Sequence, residues 1–241
     1  MPGLRNCSAA VSGPAAKAVI ARLWAHEPLD APLGLMLIDR DGVLINLAGR
    51  YLMSDVDIVP IPGVGDSIAA LAAAGFKAVV VSNQSVIGRG ILAQGDVLRL
   101  HERVLASIDP TRSFIQGSII CPHAPGDGCR CRKPQPHGIL SILGAEARLR
   151  GHWFVGDQMT DLQCAKALAM RSALVRTGHG RETETRLGEL GDRPLVTDDF
   201  PSFARWVLAE LSREDAPTAP DAASTQSSGS LDRLSPRREA P

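Results

Sequence analysis

Leu35-Met36-Leu37-Ile38-Asp39-Arg40-Asp41-Gly42-Val43 carries more information than any other stretch of this chain. Four apolar residues in succession read as a strand covered on both faces, the habit of parallel sheets. Such a strand delivers Asp39 and Asp41 to its carboxyl end. Side chains at i and i+2 of an extended chain point the same way, so both carboxylates can reach one cavity. One can attack an electrophile while the other moves a proton, and a divalent cation can sit between them and a phosphate. The competing reading is an ordinary turn, since Asp and Gly are turn formers. The rest of the chain decides between the two.

From this stretch onward, strand-like and helix-like patterns alternate. Strands are expected over residues 34–38, 77–82, 118–121, 152–155 and 173–175, with a short one at 195–197. Helices are expected over 64–74, 94–107, 138–148, 159–169 and 203–211, several ended by Gly or capped by Asp or Thr. This alternation predicts an α/β fold with an open, doubly wound parallel sheet, whose ligands bind at the carboxyl ends of the strands. No large cap insertion is evident. Residues 1–33 read as an N-terminal leader with one helix over 15–25, and 34–212 as the catalytic domain. Beyond Ser212 the chain turns to Ala, Pro, Ser, Asp and Arg with almost no large apolar residue. The segment 213–241 is therefore expected to be a disordered tail.

Composition narrows the function classes. A chain of 241 residues, 44% hydrophobic and 22% charged, suits one well-buried domain. Lys and Arg number 26 and so do Asp and Glu, so the net charge is zero. No basic field argues for nucleic acid or an anionic membrane, and a single tyrosine offers no stacking platform for a polynucleotide. No apolar run reaches the roughly 20 residues of a membrane helix. The Ala-rich stretch 11–25 is broken by Gly13, Pro14 and Lys17, unlike a signal peptide. The expectation is a cytoplasmic enzyme acting on a small molecule.

The polar residues at the expected strand ends support that class. The second strand runs into Ser82-Asn83-Gln84-Ser85 and then Gly88-Arg89-Gly90. A hydroxyl, amides and pliable backbone there suit phosphate oxygens; a polar turn with a helix cap is the plainer alternative. The fourth strand ends in Gly156-Asp157-Gln158-Met159-Thr160-Asp161. Asp157 can complete a Mg²⁺ site as a hard oxygen ligand, with Asp161 one helical turn on; either could instead cap the following helix. Arg132-Lys133-Pro134 offers two adjacent cations that could hold phosphate charge or simply face solvent.

Directly before those cations stands Cys121-Pro122-His123, five intervening residues, and Cys129-Arg130-Cys131. Cys121, His123, Cys129 and Cys131 make a closed Cys₃His set, the usual make-up of structural zinc, with no position left for a catalytic water. The loop between them is short and poor in core residues, so it needs a staple. Cys164 reads as a core residue and Cys7 falls in the leader. His26, His101, His137, His152 and His179 have no ligand partner at a convincing spacing and read as surface or satisfied structural residues.

Together, DRDGV at 39–43, SNQS at 82–85, CRKP at 131–134 and GDxxxD at 156–161 resemble a haloacid-dehalogenase-type phosphatase. The zinc loop narrows this to the subgroup of D-glycero-D-manno-heptose-1,7-bisphosphate phosphatases and histidinol-phosphate phosphatases. The resemblance spans about 34–180 and implies a Rossmann-like fold. It also implies a phosphoric monoester hydrolase, working in two steps through an aspartyl-phosphate on Asp39. Asp41 would protonate the leaving oxygen and then accept a proton from water. Mg²⁺ would be held by the Asp39 carboxylate, the Asp41 carbonyl and Asp157. Ser82 and Asn83 would donate to the phosphoryl oxygens, with Gln84 and Ser85 beside them. Lys133 would stabilise their charge, Arg132 would face the rest of the substrate, and Asp161 would support the site.

 The resemblance also implies a monomer.

Within that subgroup two substrates stay open. Ser82 to Gly90, Asn46 and Leu174-Val175-Arg176-Thr177-Gly178 resemble the heptose enzymes, which would make the reaction removal of the C7 phosphate of D-glycero-D-manno-heptose 1,7-bisphosphate. The five-residue gap between His123 and Cys129 is the shorter spacing of histidinol-phosphate phosphatases. Two readings of other classes also stand: a zinc-stapled interaction module without catalysis, and a nucleic-acid 3′-phosphatase. Intact Asp39, Asp41, Ser82, Lys133 and Asp157 oppose the first, and the neutral charge opposes the second.

Overall fold

Gly34–Ile38 is buried along its whole length, and its side chains alternate between two apolar layers. Met36 and Ile38 enter one, Leu35 and Leu37 the other. A strand divided in this way must lie inside a sheet with helices on both faces. In the computed structural model, which describes residues 18–23, 34–47, 51–144 and 149–214, the strands are β1 (Ile20–Leu23), β2 (Gly34–Ile38), β3 (Phe76–Asn83), β4 (Ile115–Cys121), β5 (Trp153–Gly156), β6 (Arg171–Val175) and β7 (Leu195–Thr197). They form one sheet in the order β1-β4-β3-β2-β5-β6-β7. All neighbours are parallel except β1, which runs antiparallel to β4. The expected doubly wound sheet is present, and β2 lies at its centre.

The helices are α1 (Val64–Ala73), α2 (Ser85–Gly88), α3 (Gln94–Ile108), α4 (His137–Leu143), α5 (Met159–Ala167), α6 (Gly180–Glu184) and α7 (Phe200–Glu214). Val64, Ile68 and Leu71 of α1, Leu100, Val104 and Ile108 of α3, and Phe200, Phe203 and Val207 of α7 cover one face of the sheet. Ile139 of α4 and Cys164 and Ala165 of α5 cover the other. In α1, α3 and α7 the spacing of three and four residues puts each set on one side of its helix. Truncating a fully buried member such as Phe203 to Ala would cost about 3–5 kcal/mol.

Three expectations change. The part of the expected 15–25 helix that is described is a strand: Ile20 pairs with Ile120 and Leu23 with Gly117. Val19 and Ala21 pack on one apolar layer and Ile20 on another, and Arg22 pairs with Glu102 at 2.8 Å. The open edge of β4 and these contacts outweigh the helical preference of an Ala-rich run. The helix expected over 138–148 stops at Leu143, because Gly144 adopts φ 97°, and 145–148 lie outside the described residues. α7 passes the expected limit at Ser212 to reach Glu214; the expected tail lies, from residue 215 on, outside the described residues. No helix among the described residues is long and apolar enough to cross a membrane.

Candidate active site

The carboxyl ends of β2, β3 and β5 open into a cavity of about 280 Å³ lined by Asp39, Asp41, Ser82, Asn83, Gln84, Ser85, Arg132, Lys133, Asp157 and Asp161. Ten residues spread over more than a hundred positions of sequence thus share one cavity, because three parallel strands end there side by side and the loop after β4 brings Arg132 and Lys133 to them.

Asp39 leaves β2 with its backbone N–H still bonded to Val155 O of β5 (2.9 Å). Its Oδ1 accepts from the Arg40 N–H (2.8 Å) and lies 2.8 Å from Lys133 Nζ. Asp161 Oδ1 lies 2.7 Å from the same ammonium group, which also donates to Val81 O at 2.8 Å. Three protein oxygens therefore lie within 2.8 Å of this one ammonium group. Its help to a phosphate is charge at close range rather than a spare donor. Asp161 also accepts the Gln158 N–H (3.0 Å) through Oδ2 at the start of α5, so one side chain both caps a helix and holds the lysine.

Asp39, Asp157 and Asp161 place a carboxylate oxygen each within 4.8 Å of one another, all buried. One ammonium cannot balance three such anions. Burial, with Asp161 and Asp41 nearby, raises the Asp39 pKa to about 7 against the pull of Lys133. Burial and the charges of Asp39 and Asp161 raise Asp157 to about 8. Asp157 Oδ2 accepts the His179 N–H (2.8 Å), while its Oδ1 is buried with no hydrogen-bond partner among the described residues. Clustered hard oxygens and an orphaned carboxylate atom fit a divalent cation such as Mg²⁺.

Two glycines make room for Asp157. Gly42 and Gly178 have φ 88° and 56°, and a Cβ on either would collide with Asp157 Oδ2. Thr177 Oγ1 donates to Gly42 O at 2.5 Å, tying the two loops across the cavity mouth.

Asp41 sits differently. Burial acts to raise its pKa, but the charge and hydrogen bonds of Arg40 and a bond from Gln84 outweigh it and hold the carboxyl below its ordinary value. Gln84 Nε2 donates to Asp41 Oδ2 (2.9 Å) and to Ser82 Oγ (2.7 Å). With its oxygen accepting from Gln84, the Ser82 hydroxyl can turn its proton toward the cavity. Asn83 lines the cavity, and its side chain braces the lysine loop: Nδ2 donates to Lys133 O (3.2 Å) and Oδ1 accepts from Lys133 N (3.1 Å). Arg132 lines the cavity with Nη1 3.4 Å from His123 O.

Tyr51, Arg89 and His179 also line the cavity; the sequence marks Arg89 only as part of a pliable stretch, reads His179 as a surface or structural residue, and gives no signal for Tyr51. Arg89 had a signal in its place between Gly88 and Gly90, whereas His179 reaches the wall only because the loop after β6 folds beside β5. His101, expected at the surface or hydrogen bonded, is fully buried with neither ring nitrogen bonded among the described residues. His152 is the satisfied structural residue expected, accepting the Leu35 N–H at 3.1 Å, and Cys164 lies in the core as expected.

The cysteine loop follows β4. Cys121 Sγ lies 3.4 Å from Cys131 Sγ, 3.7 Å from Cys129 Sγ and 3.6 Å from His123 Nδ1, and His123 Nδ1 lies 3.2 Å from Cys131 Sγ. Zn–S bonds of ~2.3 Å at tetrahedral angles require S···S edges of ~3.7 Å, so the set fits zinc closely. The hydrogen bond from Cys131, with burial, raises the Cys121 pKa; metal uptake must therefore displace protons.

A family model for HAD-hydrolase-like proteins matches residues 130–201. The chain is 36% identical over 176 residues to the D-glycero-beta-D-manno-heptose-1,7-bisphosphate 7-phosphatase of Pseudomonas putida, covering 72% of this chain and 99% of that protein. It is 34% identical over 178 residues to the protein of the same name from Neisseria meningitidis serogroup A, covering 73% and 95%. Among solved structures, the D,D-heptose 1,7-bisphosphate phosphatase from B. bronchiseptica, crystallised with magnesium and phosphate, matches with a TM-score of 0.68 at 31% identity, over 73% of this chain and 99% of that one.

Proposed function

Because this chain belongs to the haloacid-dehalogenase-type D-glycero-D-manno-heptose-1,7-bisphosphate 7-phosphatases, we propose that it removes the C7 phosphate of that sugar bisphosphate through an aspartyl-phosphate on Asp39. The observation that carries the reading is the buried group Asp39, Asp157 and Asp161 around Lys133 at the strand ends. Asp39 attacks phosphorus as the phosphorus–oxygen ester bond breaks, and Asp41 gives the departing sugar oxygen a proton. Asp41 is ionised in the free site, and a phosphate ester entering as its monoanion can bring that proton. In the second step Asp41 takes a proton from the water that attacks the phosphorus of the aspartyl-phosphate. Inorganic phosphate leaves and Asp39 is restored.

Asp39 and Asp157, with the Asp41 carbonyl implied by the family, would hold Mg²⁺. Bound there, the ion supplies the positive charge that lets an anionic nucleophile meet an anionic phosphate. Ser82 donates to the phosphoryl oxygens. Arg132 and Arg89 on the cavity wall leave two cations beyond Lys133 for a second phosphate, which favours a bisphosphate over histidinol phosphate. Cys121, His123, Cys129 and Cys131 would hold a structural zinc ion.

Phosphate release with Mg²⁺ tests the substrate. Heptose 1,7-bisphosphate should exceed histidinol phosphate by about 10²-fold or more in kcat/KM, leaving the sugar 1-phosphate as product. The reverse preference would move the assignment to histidinol phosphate.

The carboxylate group also sets a dependence on pH. With folded values near 7 for Asp39 and 8 for Asp157, against 3.8 in the ordinary state, the native chain keeps protons that the unfolded chain has released. Stability of the Mg²⁺-free protein should therefore fall as pH rises from about 4 to 8. Added Mg²⁺ should raise the melting temperature more at pH 8 than at pH 5. An equal rise at both pH values would count against a cation among these carboxylates.

A further inference from the structure

Arg40 lies between the two motif aspartates, is 0% exposed, and has no part in the chemistry described so far. A guanidinium cannot shed its proton, so burying it demands a counter-charge. Among the described residues that counter-charge is Asp41: Nε lies 2.7 Å from Oδ1 and Nη2 2.9 Å from Oδ2. The backbone makes this fork between adjacent residues possible. Leu44 N (2.9 Å) and Ile45 N (3.2 Å) both bond to Arg40 O, and Gly42 N bonds to Ile45 O (2.8 Å). The chain curls just after β2 and turns the Arg40 side chain back alongside Asp41. Gln84 adds a third donor on Oδ2 at 2.9 Å. The Asp41 side chain keeps 28% exposure and lines the cavity. Burial, with the Arg40 charge, lowers the pKa of His101 to about 3, so that buried ring adds no competing charge.

Stability does not account for such a pair, since apolar residues of similar volume usually serve a core as well or better. A planar fork does what an apolar residue cannot: it fixes both oxygens of a carboxylate in one plane. We propose that Arg40 is the positioning residue of the proton-transfer carboxylate, aiming Asp41 at the oxygen that leaves phosphorus. The proposal rests on the reading of Asp41 as the proton carrier.

It predicts a loss that depends on the leaving group. An alkyl alkoxide needs the proton from Asp41 as the phosphorus–oxygen bond breaks; p-nitrophenolate departs without one. Arg40→Met and Arg40→Lys should lower kcat/KM, which reports only the steps up to departure of the alcohol, by about 30- to 100-fold on an alkyl phosphate substrate and by less than about threefold on p-nitrophenyl phosphate; the hydrolysis step that both esters share enters kcat alone. Removing the arginine strands no buried cation, and Asp41 can be solvated from the cavity. Arg40→Met should therefore remain folded, as circular dichroism and melting will show. Asp41→Asn should have the same selectivity, and Arg40→Met should add little on top of it. Equal losses on both esters, or none, overturn the proposal. If Asp41→Asn stays selective in that case, only the role of Arg40 falls; if it does not, the proton role of Asp41 falls and takes Arg40 with it.

Discussion

Asp39→Asn is expected to lower turnover by on the order of 10⁴-fold or more, the scale on which enzymes lose their nucleophile, while the protein stays folded. A carboxamide cannot attack phosphorus to form the acyl phosphate, and among the described residues the other carboxylates of the cavity are engaged elsewhere: Asp161 is held by Lys133 and the start of α5, Asp41 by Arg40 and Gln84, and Asp157 lies under Gly42 and Gly178. The fold should tolerate the change because Lys133 keeps Asp161 (2.7 Å) and Val81 O (2.8 Å). The substitution also removes one of three crowded anions, so the Mg²⁺-free variant should melt no lower than the parent at pH 8. Phosphate release and melting curves measured together decide the matter, and turnover retained in the variant would rule out the covalent route.

Cys129→Ser is expected to act on stability first. The segment from Pro122 to Pro136 contributes little to the apolar layers, so a metal bound by Cys121, His123, Cys129 and Cys131 would hold it in place. Losing a bound ligand of high affinity costs several kcal/mol, and a domain of this size loses ~2–4 °C per kcal/mol. The variant should carry less zinc and melt roughly 10 °C lower. The effect extends to the active site because Lys133 follows Cys131 by two residues. Below its melting point the variant should keep most of its turnover. Activity lost with zinc content and melting unchanged would instead argue for a catalytic ion.

Much of the site was legible because its signals are local. Asp39 and Asp41 follow an apolar run that reads as a buried strand once the surrounding alternation is counted, and the Cys₃His set declares its chemistry through ligand type and spacing. Other roles depended on partners far away in the chain. Nothing near Asn83 indicates that its amide is taken up by the backbone of Lys133, fifty residues on. Nothing near Gln84 indicates that it bridges Ser82 and Asp41. For Asp161, capping a helix and serving the site looked like alternatives, and one carboxylate with two oxygens does both.

The sequence by itself determined the alternation of strands and helices, the order of the central elements, and which acids, cations and thiols could take part. Those follow from side-chain periodicity and ligand chemistry, which act over a few residues. Only the tertiary structure decided that residues 20–23 pair with the edge of β4 rather than coil, that Arg40 turns back onto Asp41, and that Arg89 and His179 reach the cavity wall. Each of these depends on what stands opposite once the sheet has assembled. An unpaired strand edge, a buried charge and a crowded group of carboxylates all find their partners in space, across distances that no local pattern encodes.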